Sequence, residues 1–238
     1  MTLKSFKFKK FEVFHDKCAM KVGTDSVLLG AWASLNPSPK SILDIGSGSG
    51  ILSLMLAQRC SANRINGVEI DKNAFDQCVE NFKKSPWKNR LLCYHDDIIN
   101  FSSNSKLKYD LIISNPPYFN GKTSLNCEAR NQARFQLKLN FEDLILSVKK
   151  LLSNLGKLCV IIPYEFEKEF IIIADRYNIF CNNISRVRGR EFSSIKRSLI
   201  ELSFKKTYVK CNEVFLEVER HVYSDYYKSL TKEFYLKI

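Results

Sequence analysis

The chain predicts an α/β fold in which a mostly parallel sheet carries helices on both faces. Three observations lead there. From residue 41 onward, short β-branched runs alternate with amphipathic stretches, as strands buried on both sides alternate with their covering helices. A glycine-rich turn, Asp44-Ile45-Gly46-Ser47-Gly48-Ser49-Gly50, joins the first such run to the first apolar helix, the place such turns occupy in doubly wound sheets. No Pro/Gly/Ser-rich linker or low-complexity block divides the 238 residues, so residues 1–238 are expected to form one domain. Its core spans 41–238, and residues 1–40 form an N-terminal extension too short to bury a core of its own.

Upstream of the core, Phe6, Phe8, Phe11 and Val13 predict a short strand or hairpin with a slip at Lys9-Lys10. Thr24 is the expected N-cap of a helix reaching about Ser34 and burying Val27, Leu28, Ala31 and Trp32. Seven strands are expected, near 41–45, 64–69, 91–95, 109–114, 157–162, 179–187 and 197–205. Between them, residues 71–85 place Ala74, Phe75, Cys78, Val79 and Phe82 on one helical stripe that ends at Ser85-Pro86. Residues 142–155 repeat the pattern with Leu144, Ile145, Val148, Leu151, Leu152 and Leu155, and Gly156 is the expected C-terminal cap. From Phe119 to about Asn140 neither period is present. A stretch of that length inside a domain is a working loop or a disordered one.

Thirty-seven basic against twenty-five acidic residues give a formal charge of +12, which favours an anionic partner such as nucleic acid. A general richness in lysine is the bland alternative. The basic residues gather at Lys4, Lys7, Lys9, Lys10, Lys17 and Lys21, and again at Arg186, Arg188, Arg190, Lys196 and Arg197. The eight cysteines are scattered, with no C-x-x-C pair and no Cys/His spacing suited to a metal. Most of them read as reduced core thiols. The N-terminus lacks the apolar stretch of a signal peptide, and no run reaches the roughly 18–20 apolar residues of a membrane span. A cytoplasmic protein with no membrane attachment is expected; oligomeric state leaves no signal in the sequence.

The glycine turn is spaced G-x-G-x-G rather than the dinucleotide G-x-G-x-x-G, and Asp44 precedes it where a carboxylate can accept from an ammonium group. Gly46 serves the tight turn, and Gly48 and Gly50 let a ligand approach the backbone. The methionine moiety of S-adenosylmethionine offers that ammonium, and a pyrophosphate does not. A nicotinamide or flavin enzyme and a merely structural turn are the competing readings. Glu69 closes the second strand nineteen positions after Gly50, where an acid on a ribose diol is expected; a helix N-cap is its alternative. Asp96 and Asp97 follow the third strand as candidates for the cofactor's adenine amino group, Asp97 being preferred and a solvated helix start the alternative.

Asn115-Pro116-Pro117-Tyr118, at the end of Leu111-Ile112-Ile113-Ser114, is the most specific element. An exocyclic amine on a nucleobase is a poor nucleophile because its lone pair is delocalised into the ring. The Asn115 side-chain oxygen and the Pro116 carbonyl can accept its two hydrogens and turn the lone pair toward a methyl group. The prolines keep that backbone rigid and supply no competing donor, and Tyr118 can stack on the base or face a sulfonium cation. No metal, covalent nucleophile or strong base is required, because the nitrogen sheds a proton after attack. An ordinary Asn-Pro turn is the structural alternative. Weaker candidates are Lys21 and Thr24-Asp25, placed to fold over the methionine end of a cofactor, and Arg130 and Arg134, spaced i, i+4 to grip phosphates. His15, His95 and His221 form no array and read as packing or surface residues.

With these residues the chain resembles the bacterial tRNA-Val adenine-37 N6-methyltransferases, which are class I S-adenosylmethionine-dependent enzymes. The resemblance runs nearly end to end: Phe14-His15-Asp16-Lys17-Cys18-Ala19-Met20-Lys21-Val22-Gly23-Thr24-Asp25, Leu28-Leu29-Gly30-Ala31-Trp32, the glycine turn, Ser85-Pro86-Trp87, Asn115 to Phe119, Arg130 with Gln132-Ala133-Arg134, and Phe234-Tyr235-Leu236. It implies a Rossmann-like class I methyltransferase fold with a seven-stranded sheet and a reversed final hairpin. S-adenosylmethionine would lie over Asp44 to Gly50 and Glu69, with Lys21, Thr24, Asp97 and Asn115 contributing. The target adenine would lie at Asn115 to Tyr118, with Phe119, Arg130 and Arg134 on the RNA. Rival readings are an Asn-Pro-Pro-Tyr enzyme acting on a ribosomal RNA or DNA base or on a protein glutamine, a nicotinamide oxidoreductase, and a non-catalytic RNA-binding module.

Overall fold

The computed structural model describes residues 4–117 and 140–237. Among them, β1 (Ser5–Lys7) and β2 (Glu12–Phe14) form a small antiparallel hairpin with Phe6 opposite Val13. It is followed by α1 (Thr24–Trp32), β3 (Ser41–Ile45), α2 (Ile51–Arg59), β4 (Arg64–Glu69), α3 (Lys72–Lys84), β5 (Leu91–His95), α4 (Ile98–Asn104) and β6 (Tyr109–Ser114). After residue 140 come α5 (Phe141–Leu151), β7 (Leu152–Pro163), α6 (Glu167–Arg176), β8 (Phe180–Arg190), β9 (Ile195–Ser203), β10 (Lys210–Glu219), β11 (Val222–Tyr223) and α7 (Asp225–Thr231).

Strands β3 to β11 form one sheet in the order β11-β10-β8-β9-β7-β6-β3-β4-β5. β3, β4, β5, β6 and β7 run parallel, while β9 is antiparallel to both its neighbours. The expected seven strands are all present, and the reversed hairpin is β8–β9. Two further strands extend the sheet to nine. β10 pairs parallel with β8, and β11 closes back on β10. Of the ten residues of β10 only Val214 is buried, so this edge strand lacks the apolar run that marked the others.

Pleating divides each central strand between two cores. Ile42, Leu111, Ile113, Cys159 and Ile161 pack with α1, α2 and α3, whereas Leu43, Ile45, Ile112, Leu158, Val160 and Ile162 pack with α4, α5 and α6. By this alternation Asp44 lies on the α2 side of the sheet. The extension is built into the first core. Phe8 stacks on Phe11 with centroids 4.6 Å apart, Phe11 meets Trp87 at 5.8 Å, and the Lys9 amide donates to the Phe234 carbonyl at 2.8 Å.

Several local expectations need correction. Gly23, not Thr24, occupies the N-cap of α1, and Thr24 is the first helical residue. Trp32 is only partly buried, packing against the first core while its indole nitrogen donates to Ser185 Oγ at 2.9 Å. α5 ends at Leu151, the chain turns straight into β7, and Leu155 is 86% exposed rather than on the helical stripe. Gly156 is therefore no cap; it lies within β7, where a Cβ would come within 2.8 Å of the Tyr109 carbonyl oxygen.

Gly46, Gly48 and Gly50 all have positive φ, but different neighbours. A Cβ on Gly50 would meet Phe82 Cε1 at 2.6 Å and Cys78 Sγ at 2.9 Å, while one on Gly48 meets nothing described within 4 Å. Gly50→Ala should therefore lose about 1–3 kcal/mol from overpacking in addition to the left-handed penalty. Gly48→Ala should lose only the latter, ~1 kcal/mol. Urea midpoints at constant m-value measure both; equal shifts would refute the packing role of Gly50.

Candidate active site at the carboxyl edge of the sheet

One row of paired residues locates the site. Tyr94, Val68, Ile45, Ser114 and Val160 lie side by side across β5, β4, β3, β6 and β7. The residues that follow on the middle three strands are Glu69, Gly46 and Asn115. Adjacent strands lie ~4.8 Å apart, so these three residues span about 10 Å, the scale of a nucleoside. The chain leaves β3 toward β4 and β5 on one side and later returns to β6 on the other. Strand order reverses between β3 and β6, and ligands of open α/β sheets bind at such a switch point, beyond the carboxyl ends of the strands. A cleft of about 270 Å³ lined by Ser34, Lys40, Asp110 and Lys157 opens at the opposite edge. Asp110 there already accepts from Lys40 N, Ser41 N and Ser41 Oγ, and no chemistry converges on it.

The glycine turn is pinned to β4. Gly46 N and Ser47 N donate to the Val68 carbonyl at 2.9 and 3.2 Å, and Gly48 N donates to Glu69 Oε2 at 2.7 Å. The other Glu69 oxygen accepts from Asp71 N at 2.9 Å. The helix cap expected as the alternative for Glu69 belongs to Asp71, which accepts from Ala74 N at 2.8 Å. Burial raises the pKa of Glu69, partly offset by those backbone donors. Gly67, inside β4, makes room for the turn: a Cβ there would lie 2.9 Å from the Ser47 side chain. A glycine inside a strand is a sign of such close approach, and it is the signal by which the sequence could have disclosed Gly67.

Asp44 is 0% exposed. Its Oδ2 accepts from Ser53 N at 3.1 Å and Ser53 Oγ at 2.8 Å, whereas Oδ1 has no hydrogen-bond partner among the described residues. Burial pushes its pKa up to about 7 despite the Ser53 donors, and the nearby Glu69 charge adds to the rise. A buried carboxylate oxygen without a donor is costly and is matched by a ligand that brings a cation. Over Gly46 and Gly48 a Cβ would meet nothing described within 4 Å, so ligand atoms can reach the backbone there. By both tests the residues present fit S-adenosylmethionine.

Asn115 follows β6, and its Nδ2 donates to Ser26 Oγ in the first turn of α1 at 3.1 Å. That contact, between residues 89 apart in sequence, orients the amide and had no local signal. Lys21 donates to the carbonyls of His15 and Asp16 at 2.9 and 3.3 Å, and Val22 N donates to His15 Nδ1 at 2.9 Å. His15 is thus a packing residue that shapes the upstream block. Asn81 of α3 joins this block to the turn, accepting from Phe14 N at 2.9 Å and donating to the Phe14 and Ser49 carbonyls at 2.8 Å. Asp97 caps α4, accepting from Ile99 N at 2.7 Å, and the Asp96 amide donates to the Glu69 carbonyl at 3.2 Å. Between Glu69 and Asp71, Ile70 leaves 43% of its surface exposed, an apolar ledge at the carboxyl edge of the sheet with no local sequence signal.

Tyr118, Phe119, Arg130 and Arg134 lie outside the described residues, as does Cys127. Of the second basic cluster, Arg186 is fixed on Glu167 at 2.7 Å, Arg188 on Glu213 at 2.8 Å and Arg197 on Asp25 at 2.7 Å. Those three are ion-paired within the fold, and Arg190 and Lys196 remain the exposed cations of that cluster. Among the described residues, five cysteines are buried and none is bridged, no three His, Cys, Asp or Glu side chains are grouped to hold a metal, and no helix is long and apolar enough to cross a membrane.

A family model described as the methyltransferase small domain matches residues 18–172. A protein of Christiangramia forsetii named tRNA1(Val) (adenine(37)-N6)-methyltransferase is 47% identical over the whole of both chains. Among solved structures, a predicted O-methyltransferase of Agrobacterium tumefaciens superposes with a TM-score of 0.68 at 16% identity, covering 88% of this chain and 96% of that one. TrmK of M. capricolum, solved with the cofactor product S-adenosyl-homocysteine, superposes with a TM-score of 0.54 at 14% identity, covering 84% and 74%. The two structures carry the Rossmann-like fold, and the sequence relative carries the family. The chain belongs to the methyltransferase small-domain family and, within it, to the tRNA1(Val) (adenine(37)-N6)-methyltransferases, which are S-adenosylmethionine-dependent enzymes.

Proposed function

We propose that the protein methylates N6 of adenine 37, beside the anticodon of tRNA-Val, in the cytoplasm, acting as one domain with its N-terminal extension built in. The observation that carries the reading is the row that sets Glu69, Gly46 and Asn115 on adjacent strands at the switch point, in a chain 47% identical to a relative bearing that name. S-adenosylmethionine, when bound, supplies a methyl group activated on sulfonium. Asp44 Oδ1 would receive the ammonium of its methionine moiety, Gly46 and Gly48 would leave it room against the backbone, and Gly50 holds the turn in shape. Glu69 would take its ribose hydroxyls, and Ile70 and Asp97 would hold its adenine. Lys21 acts through the His15-Asp16 carbonyls it already binds, and Thr24 sits at the head of α1 beside Ser26.

At the acceptor, Ser26 holds the donor half of the Asn115 amide and so turns its Oδ1 toward the target amine. Asn115 Oδ1 and the Pro116 carbonyl accept hydrogen bonds from the two N6 hydrogens, one of which leaves as a proton after attack; Pro117 stiffens the corner, and Tyr118 and Phe119 are assigned to the base. Arg130 and Arg134 grip phosphates. Aligning the nitrogen with the methyl group supplies much of the rate.

Incubating the protein with labelled S-adenosylmethionine and tRNA from cells lacking the modification, then mapping the label, tests the assignment; label at adenine 37 of tRNA-Val is expected, and label on another nucleotide or on protein rejects it. Asn115→Ala should lower kcat by a factor on the order of 10²–10³ or more while S-adenosylhomocysteine affinity stays within a few-fold. Retained turnover with lost cofactor binding would contradict the division of roles.

The raised pKa of Asp44 gives a pH test with a definite sign. An exposed aspartate titrates near 3.9, and Asp44 in the fold near 7. Its contribution to folding is fully present below about pH 4 and is lost as pH rises through 7. Cofactor binding has the opposite demand, because an ammonium at Oδ1 requires the carboxylate. S-adenosylhomocysteine affinity should weaken as pH falls below 7, by up to about tenfold per unit. The slope should vanish in Asp44→Asn; a flat wild-type profile would remove Asp44 from the site.

A further inference from the structure

The tip of the β8–β9 hairpin, residues 189–194, stands at the same edge of the sheet as Asn115. β7 runs parallel to β6 and ends at Pro163, Pro163 pairs with Arg197 of β9, and β8 and β9 pair onward to Arg188 and Ile195. At ~3.3 Å per residue, the six positions from Ile200, which pairs with Val160, up to Ser194 raise the tip about 20 Å above the row that locates the site. At its head Phe192 is 95% exposed. The tip is a built turn. Ser193 N donates to the Arg190 carbonyl at 3.0 Å, Arg190 N donates to Ser193 Oγ at 3.0 Å, and the Arg188 guanidinium donates to the Ser193 carbonyl. Just below the tip, the hairpin is tied to the head of α1 by Arg197 and Asp25 at 2.7 Å, one residue from the Ser26 that holds Asn115.

Arg190 and Lys196, both exposed, lie two residues before and four after Phe192 in sequence, with Glu191 the one acid in the tip. Single exposed apolar residues are ordinary, but this ring is presented on a hydrogen-bonded turn, in a segment carrying two exposed cations, at the same edge of the sheet as Asn115. We infer that Phe192 is a stacking platform for an unpaired nucleotide of the RNA substrate, with Arg190 and Lys196 on the neighbouring phosphates. The inference rests on the RNA-methylating reading above and deepens it. Because the tip lies about 20 Å from the row, Phe192 stacks on a nucleotide flanking the target and not on the target adenine. Base–aromatic stacking tolerates any base, so the hairpin contributes affinity and register more than sequence choice.

The test uses the full chain with an unmodified tRNA-Val transcript. Phe192→Ala and Phe192→Leu should each raise tRNA Kd and KM by roughly 5- to 150-fold, the range a lost base stack represents, with S-adenosylhomocysteine affinity retained. Phe192→Trp should keep tRNA affinity, and its indole fluorescence should quench on binding. Arg190→Ala with Lys196→Ala should flatten the salt dependence of tRNA binding by about 0.7 log units per lost phosphate contact. Wild-type affinity in Phe192→Leu would overturn stacking, and wild-type affinity in Phe192→Ala would overturn any RNA role for the tip, leaving the methylation reading standing. Label mapped away from adenine 37 would instead sink that reading while a loss of tRNA affinity in Phe192→Ala upheld the hairpin.

Discussion

Parallel pairing of β3 with β6, Ile45 against Ser114, is the constraint on which the rest of the site depends. Ser114 Oγ donates to the Ile45 carbonyl at 2.8 Å, a side-chain bond that locks the two strand ends together where both chains leave the sheet. A one-residue slip would move every side chain of β6 to the opposite core, exchanging Leu111 and Ile113 for Ile112. The buried pattern on both faces resists that slip. Register that is determined by apolar packing therefore sets the separation between the glycine turn after β3 and the Asn115 corner after β6.

Around this pair, polar contacts hold each half to its own support. Glu69 ties the glycine turn to β4, Asn81 ties it to the upstream block, and Ser26 ties Asn115 to α1. α1 in turn is fixed to the far hairpin through Asp25 and Arg197. The extension therefore serves as more than a cover. It connects the glycine turn, through α3, with Asn115, through α1, and the small hairpin at its start is anchored on the aromatic cluster it shares with Tyr235.

Much of this arrangement was legible in the sequence, for physical reasons that also explain the misses. Strands at 41–45, 64–69, 91–95 and 109–114 coincide with β3, β4, β5 and β6: β3, β4 and β6 are almost wholly buried runs, and β5, at the sheet's edge, alternates buried Leu91 and Cys93 with exposed Leu92. The start of β7 was hidden: Leu152 continues the helical stripe of α5 and is buried in either role, and Gly156 has the look of a cap. β10 was hidden because an edge strand with one buried residue has no periodicity to read. The second basic cluster looked like one surface, yet its ion-pair partners Glu167, Glu213 and Asp25 lie far away in sequence. Ser26, Ser53 and Ile70 were missed because a single serine or isoleucine carries no pattern; their meaning comes from what the fold brings against them.

The central claim is geometric: donor and acceptor occupy adjacent strand ends and are bound at once. Its most direct test is the affinity of a bisubstrate compound in which a short alkyl linker joins the sulfur-equivalent position of S-adenosylhomocysteine to N6 of adenosine. The linked compound should bind far more tightly than S-adenosylhomocysteine alone, because the second half adds at high effective concentration. Its advantage should disappear in Asn115→Ala. A linked compound that binds no better than S-adenosylhomocysteine to the wild-type protein would contradict the account.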